Sequence, residues 1–409
     1  MSGSVGRPLS LYHLLDPQVL ANPYPLYEQL RTEAPVHWDP FLHAWVVTRY
    51  REVVQVLNEF SANRTPTAEY LAEMGITAMG PIAEVMVRQM LFLDAPAHTR
   101  IRKLASQAFT PRRVEALRAH IQTIADDLID RVLSSGRIDL IADFAEPLPC
   151  IVTAEMLGLP VEHHTQLKSW SQDFAEMLGN FQHNPERAGR IAKSVEAMTA
   201  YFRAAMAEQR EQLRSGLLGA FMTAQVDDDK LSDDEIIANV IVTMVGGQET
   251  TTNLIGNGML SLLRHPQELE RLRADSALVP SAVEELLRFE SPSQQTARLA
   301  PEDGLLGGKT VRKRQAVIAV MGAANRDPDR FPDPDRLDLT RSDNRHVAFG
   351  WGPHFCFGAA LARIEGQVSF ETLLRRLPDL ALEPGPLTWR ANLGLRGLRA
   401  LPLTFGQIA

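Results

Sequence analysis

Phe349-Gly-Trp-Gly-Pro-His-Phe-Cys356-Phe-Gly358-Ala-Ala-Leu-Ala-Arg363 places one of only two cysteines in a glycine-rich loop that opens into a run of helix formers. Glycine lets the backbone turn tightly and approach a flat ligand with no Cβ in the way, and Gly352 and Gly358 mark such a loop. From Ala359 to Arg363 the residues favour helix. Free amides at a helix start favour negative charge and lower a thiol pKa, so the spacing predicts Cys356 as a thiolate ligand. A lone cysteine in an apolar stretch is more often a small buried hydrophobe, and Cys150 in Pro147-Leu-Pro-Cys150-Ile-Val is read that way.

The joint pattern Phe-x-x-Gly-x-x-x-Cys-x-Gly, from Phe349 to Gly358, resembles the haem-binding signature of the cytochrome P450 superfamily. A cysteine thiolate is one of the few protein ligands of haem iron. The resemblance implies haem b held by Phe349, Cys356 and Gly358, with Cys356 as the iron ligand. It also implies a mainly α fold with a minor β region, in which haem lies between a long central helix and the cysteine loop.

The central helix is legible in the residues. Leu231-Ser232-Asp-Asp-Glu235 has the form of a capping box, with Ser232 as N-cap and Glu235 three residues on, followed by Ile236-Ile-Ala-Asn-Val-Ile-Val-Thr-Met-Val245. Gly246-Gly247 interrupts the pattern, and paired glycines suggest a bend or a close approach. The Thr250 hydroxyl, four residues after Gly246, is spaced to bond that carbonyl and widen the helix locally. Gly246-Gly-Gln-Glu249-Thr250 resembles the superfamily's oxygen-binding motif. That resemblance assigns Thr250 a hydrogen bond to bound dioxygen and Glu249 a proton relay through water. Val242, Val245, Gly246 and Gln295 are substrate-pocket candidates by position.

Glu285-Leu-Leu-Arg288 is by itself an everyday helical ion pair. It matches the superfamily's Glu-x-x-Arg motif, and Pro334-Asp-Arg336 matches the segment whose arginine joins that pair, so Glu285, Arg288 and Arg336 are expected to support the cysteine loop. Haem carries two propionates, which call for cations from separate segments. By resemblance these are His98 and Arg102 in Asp94-Ala-Pro-Ala-His98-Thr-Arg-Ile-Arg102, Arg298 in Gln295-Thr-Ala-Arg298, and His354.

Composition sets the frame. The chain has 409 residues, 45% of them hydrophobic, and a net charge of −8, which argues against a nucleic-acid partner. Two distant cysteines make no disulfide framework, and no apolar run reaches the roughly 18 to 20 residues that span a bilayer. A cytoplasmic protein is expected, as one domain over 1–409 with about the first ten residues disordered. Strands are expected around Val36-His-Trp38, Ala44–Thr48 and Gln315–Val320, and helical periodicity from about 98 to 290, including one helix over 114–133. The stretch 70–87, rich in methionine and aliphatics, is either a pliable wall over the distal pocket or an ordinary buried helix.

The implied reaction is reductive activation of O2 with hydroxylation or epoxidation of an apolar small molecule of secondary or fatty-acyl metabolism. Electrons are expected from NAD(P)H through a ferredoxin or flavodoxin and its reductase, docking near Arg100, Lys103, Arg112 and Arg113. Oxidative C–C or C–O coupling by the same centre is a second reading, and a non-catalytic haem-thiolate sensor a third.

Overall fold

The 32-residue helix Asp233–Arg264 organises the molecule. In the computed structural model, which describes residues 9–179, 185–211, 216–226 and 229–406, it starts as the sequence specifies. The Ser232 hydroxyl accepts from the Glu235 amide at 3.3 Å, and the Ser232 amide donates to Glu235 at 2.8 Å. The helix runs unbroken through Gly246-Gly247, and of the two expected roles for the pair the close approach holds at Gly247, where a Cβ would stand 3.3 Å from Thr153 Oγ1, while Gly246 faces open space.

Two apolar cores meet on this helix. Its C-terminal half (Leu254, Ile255, Met259, Leu262) packs with Leu361, Ile364, Val368 and Phe370 of the helix Ala359–Arg376 and with Val283, Leu286 and Leu287 of the helix Val279–Phe289. Its N-terminal half (Ile237, Val240, Ile241, Met244) packs with Phe174, Phe202 and Phe221. Gly246 and Thr250 lie at the junction, where apolar packing gives way to a cavity.

The minor β region is a four-stranded sheet in the order Val36–Asp39, Ala44–Val47, Ala316–Ala319, Thr296–Leu299. The first and last pairings are antiparallel and the middle one parallel, with Val317 flanked by Trp45 on one edge of its strand and by Arg298 on the other. The sheet thereby carries Arg298 to the cavity. A smaller antiparallel sheet joins Arg137–Asp139 to Pro402–Thr404 and Ala381–Leu382.

Several local expectations change. The helix over 114–133 is broken into Pro111–Glu115 and Arg118–Asp130, because the Leu117 amide closes a tight turn on the Val114 carbonyl at 3.0 Å; Val114, Ile121 and Ile124 still face one core. Over 70–87 the chain forms short helices, Ala68–Glu73 and Gly80–Met86, the latter packed on the long helix Pro185–Glu211. None of 70–87 lines the cavity, whose wall at that point is Met90 and Leu91. Of the first ten residues, 1–8 lie outside the described residues, whereas Ser10 is fully buried and donates to Asp39 at 2.7 Å. Among the described residues, no helix is long and apolar enough to cross a membrane.

Candidate active site

The cysteine loop is built by backbone hydrogen bonds. The Val347 amide donates to the Asn325 side chain, the Gly350 amide to the Val347 carbonyl, and the Cys356 amide to the Phe349 carbonyl at 2.8 Å. Gly350 and Gly352 take φ of 72° and 67°, a region that strains other residues. At Gly352 a Cβ would also stand 2.7 Å from Asn58 Oδ1. The Arg102 guanidinium donates to the Phe355 carbonyl at 2.6 Å, tying the loop to the helix Ala97–Ala108. Phe357 stacks on Phe109. Arg363 covers the Phe349 ring at 4.6 Å and forms a two-pronged pair with Glu284.

Cys356 faces a cavity of about 310 Å³ whose opposite wall is Val242, Gly246, Gly247 and Thr250 of the central helix. The Thr250 hydroxyl donates to the Gly246 carbonyl at 2.6 Å, as its spacing predicts. The cavity brings together Cys356, Gly358, Phe349, His354, His98, Arg102, Arg298, Thr250, Val242, Gly246 and Gln295 of the residues singled out in the sequence.

Two of those residues stand elsewhere. Val245 faces the apolar core of the N-terminal half of the helix. Glu249 is buried and turned away from the cavity, held by Arg390 Nη1 at 2.7 Å. A helix repeats every 3.6 residues, so Gly246 and Thr250 share a face that positions 245 and 249 leave.

The scaffold motif needs a further correction. Glu285 and Arg288 form a fully buried two-pronged pair at 2.7 Å. The arginine that joins them is Arg341, whose Nε reaches Glu285 at 3.2 Å, not Arg336. Arg336 is exposed and contributes its carbonyl, which accepts from Arg288 at 3.2 Å. The Asp338 amide and Asn344 side chain complete the set around Glu285, satisfying a carboxylate that burial would otherwise penalise. Arg100, expected on a docking surface, is committed to Asp229 and Glu235 at 2.5 and 2.7 Å.

The electrostatics call for an anion. Arg298 is pulled down to about 10 and Arg64 to about 9, in both cases by burial, with Asp94 partly offsetting it. Burial and neighbouring cations lower His354 to about 3, and lower His98 as well. The rings of these two histidines lie 4.2 Å apart. His98 Nε2 and Arg298 Nε are buried with no hydrogen-bond partner. Such a concentration of buried cations and orphaned donors on one edge of a cavity is stabilised by a negatively charged ligand.

Burial pushes the Cys356 thiol above its ordinary value, and the Gly358 amide, Arg102 and Arg363 pull it back only in part. The loop alone therefore does not make the thiolate that its helix-start position suggested. A metal ion at the sulfur deprotonates a coordinating thiol outright. Gly246 and Gly358 line opposite faces of the cavity, and an added Cβ at either would meet no protein atom within 4 Å. A thiol facing a cavity that glycine leaves open at Gly358 on its own side and at Gly246 on the other, bordered by buried cations, fits a flat, dianionic, metal-bearing group such as haem.

Sequence reasoning missed Arg64, Arg341, Arg390, Thr251 and Glu365. Thr251 donates to Glu365 at 3.3 Å, and both line the cavity. Glu365 had a signal: it stands nine residues after Cys356 as an acid on an otherwise buried helix face. The three arginines had none, since each is brought in by a remote loop.

The family described as Cytochrome P450 matches residues 66–378. Over 391 residues the chain is 38% identical to the biotin biosynthesis cytochrome P450 of Bacillus subtilis (strain 168), covering 95% of this chain and 97% of that protein. It is 37% identical over 393 residues to the 6-deoxyerythronolide B hydroxylase of Saccharopolyspora erythraea, with 93% and 95% covered. The crystal structure of P450BioI with hexadec-9Z-enoic acid-ligated acyl carrier protein superposes at a TM-score of 0.90 and 36% identity, covering 95% of this chain and 99% of that one. Fold, cysteine loop and sequence agree along nearly the whole length, and the chain belongs to the cytochrome P450 family, as a haem-thiolate monooxygenase.

Proposed function

We propose that the chain, acting as one catalytic domain over 1–409, hydroxylates or epoxidises an apolar small molecule with a fatty-acyl or polyketide-like body. The observation that carries this reading is the cavity between Thr250 and Cys356, whose walls include Met90, Leu91, Leu178, Val242 and Leu395. Aliphatic and methionine walls bind by excluding water and adapt to the shape of a flexible chain. A relative's structure with an acyl chain loaded on acyl carrier protein supports an acyl body for the substrate.

When bound, haem b supplies a thiolate-ligated iron at which dioxygen is reduced, one oxygen atom passing to the substrate and the other leaving as water. Cys356 would be its iron ligand. Arg64, Arg298, Arg102, His98 and His354 would hold the propionates, with Phe349 and Gly358 against its face. Thr250 keeps a hydroxyl at the cavity wall, anchored on the Gly246 carbonyl and able to turn its proton to a ligand instead. Gln295, fixed by its amide to the Leu393 carbonyl at 3.1 Å, borders the substrate space. Glu285, Arg288 and Arg341 hold the loop from behind, and Glu249 moves protons only after leaving Arg390.

Electrons come from NAD(P)H through a ferredoxin or flavodoxin in the cytoplasm. The exposed Lys103, Arg112 and Arg113 lie close in sequence to Arg102, which touches the cysteine loop, and suit an acidic redox protein. Titrating the haem-loaded protein with free fatty acids, acyl thioesters and macrolides, followed by mass spectrometry of turnover products, tests the substrate class. An absorbance shift and an added oxygen are expected with long acyl chains. A tight response confined to small charged ligands would overturn the proposal.

A further inference from the structure

The side chains that border the cavity as propionate partners come from four pieces of chain. Arg64 follows the helix Tyr50–Glu59, His98 and Arg102 stand on the helix Ala97–Ala108, Arg298 on the strand Thr296–Leu299 and His354 in the cysteine loop. One carboxylate joins three of these pieces. Asp94 accepts from the Ala62 amide at 2.8 Å through Oδ1 and from the Ser61 hydroxyl through Oδ2, while its carbonyl accepts from the His98 amide at 2.9 Å. Ser61 pairs with Leu299, beside Arg298, each amide donating to the other's carbonyl at 2.9 Å. Arg64 donates to the Ala62 carbonyl at 3.2 Å and covers the Phe92 ring at 4.7 Å. Asp94 stands behind the cavity wall and not in it.

We infer that Asp94 is a positioning residue of the haem site with two effects: its hydrogen bonds hold the segments bearing Arg64, His98 and Arg298 together, and its charge offsets theirs, lowering the reduction potential of the bound haem. This rests on the reading that these side chains hold the propionates. Burial is the largest cause that lowers the pKa of Arg64, Arg298, His98 and His354, and Asp94 raises all four. With both histidines neutral at pH 7, the guanidinium groups of Arg64, Arg102 and Arg298 stand against two propionates and Asp94, and the charges cancel. Without Asp94 the same site would hold one positive charge in excess. Reduction adds one electron at the iron, so a negative charge nearby disfavours the reduced state and a positive excess favours it.

The two effects pull haem retention in opposite directions, which lets two substitutions separate them. Asp94→Asn removes the charge and keeps the bracket, because the side-chain oxygen still accepts from Ala62 and the new amide donates to the Ser61 hydroxyl. The ratio of reduced to oxidised haem at the wild-type midpoint should rise roughly three- to tenfold, the order expected for one nearby charge at an effective dielectric constant of about 20. Haem should also leave this variant more slowly than wild type, since the propionates meet an uncancelled cation. Ser61→Ala keeps the charge and removes one hydrogen bond to it. Its potential should stay at the wild-type value while haem leaves about tenfold faster, the low end for a hydrogen bond to a charged group.

The test reads the potential of the substrate-free, haem-loaded protein by anaerobic spectroelectrochemistry, and haem retention by the rate of transfer to excess apomyoglobin. Neither readout needs turnover. Asp94→Asn at the wild-type potential, Asp94→Asn losing haem faster than wild type, or Ser61→Ala retaining haem as wild type does would each overturn the assignment. Arg298→Gln, which removes a cation from the same cluster, tests the propionate reading separately: its potential should fall and its haem should leave faster. If Arg298→Gln changed neither readout, the propionate reading would fall. An unmoved Asp94→Asn beside a shifted Arg298→Gln would remove the role of Asp94 alone.

Discussion

Single residues here are chosen by what they leave for others to satisfy. Thr250 bonds the Gly246 carbonyl within the central helix, so its hydroxyl is held at the cavity wall at no cost of an unpaired donor. Thr250→Ala should leave substrate affinity and the haem spectrum intact. Product formation should fall by on the order of 10²-fold, the lower end for a positioned proton-transfer group, and peroxide should take its place in the oxygen balance. Wild-type coupling in the variant would remove Thr250 from the reaction. Glu285 gives a contrast between two arginines that sequence spacing does not distinguish. Arg341 contacts its carboxylate and is itself nearly buried, whereas Arg336 is exposed and lends only its carbonyl. Arg341→Ala should cost about 3 kcal/mol, because it strips one partner from a buried charge. Arg336→Ala should stay within about 0.5 kcal/mol, as at other exposed positions. Urea unfolding of the two variants checks the ranking, and equal losses would return Arg336 to the scaffold.

The central helix shows how an element can be read from local chemistry. Its start is fixed by Ser232 and Glu235, and Glu235 also pairs with Arg100 from the helix that carries His98 and Arg102. Ser232→Ala should remove one half of the capping box and cost about 1 kcal/mol. Glu235→Gln keeps an acceptor for the Ser232 amide but weakens the Arg100 pair, so it should loosen the helix Ala97–Ala108 more than the helix start. Amide hydrogen exchange at the two helices separates these effects. Legibility follows the range of the interaction. The capping box and the Thr250–Gly246 bond rest on neighbours three or four residues away, and the cysteine loop and the strands around Trp45 and Val317 show in local glycine placement and apolar runs although their partners lie far along the chain. Glu249 and Val245 were misplaced because motif adjacency does not say which helix face a residue takes. Arg64, Arg341 and Arg390 escaped notice because each meets its partner across tens to more than a hundred residues of chain, and surface composition carries no mark of that meeting.

At the scale of the whole molecule, two acids on opposite sides of the helix Ala359–Arg376 bracket the pH range in which the fold is strongest. Burial pushes Glu284 up, but hydrogen bonds from Arg363 and His346 outweigh it and hold its carboxyl at about 2. Glu284 is below its unfolded value near 4.5, so it adds stability that is complete above that pH and drains away as pH falls through about 2. Glu365 behaves oppositely. Burial with only the Thr251 hydroxyl as partner pushes its carboxyl up to about 8. The folded state therefore binds a proton that the unfolded chain has released between about pH 4.5 and 8, and stability falls as pH rises across that interval. Glu365→Gln replaces the protonated acid by a neutral isostere that still accepts from Thr251. Its melting temperature should match wild type near pH 4.5, exceed it by a margin that widens to about pH 8, and then hold that margin. Glu284→Gln should melt below wild type at pH 6, with the difference closing as acid protonates the wild-type carboxylate. Thermal unfolding of the haem-loaded proteins between pH 3 and 9 reads both curves. A Glu365→Gln margin that does not change with pH would mean that Glu365 is ionised in the fold, with a cation or water at its second oxygen.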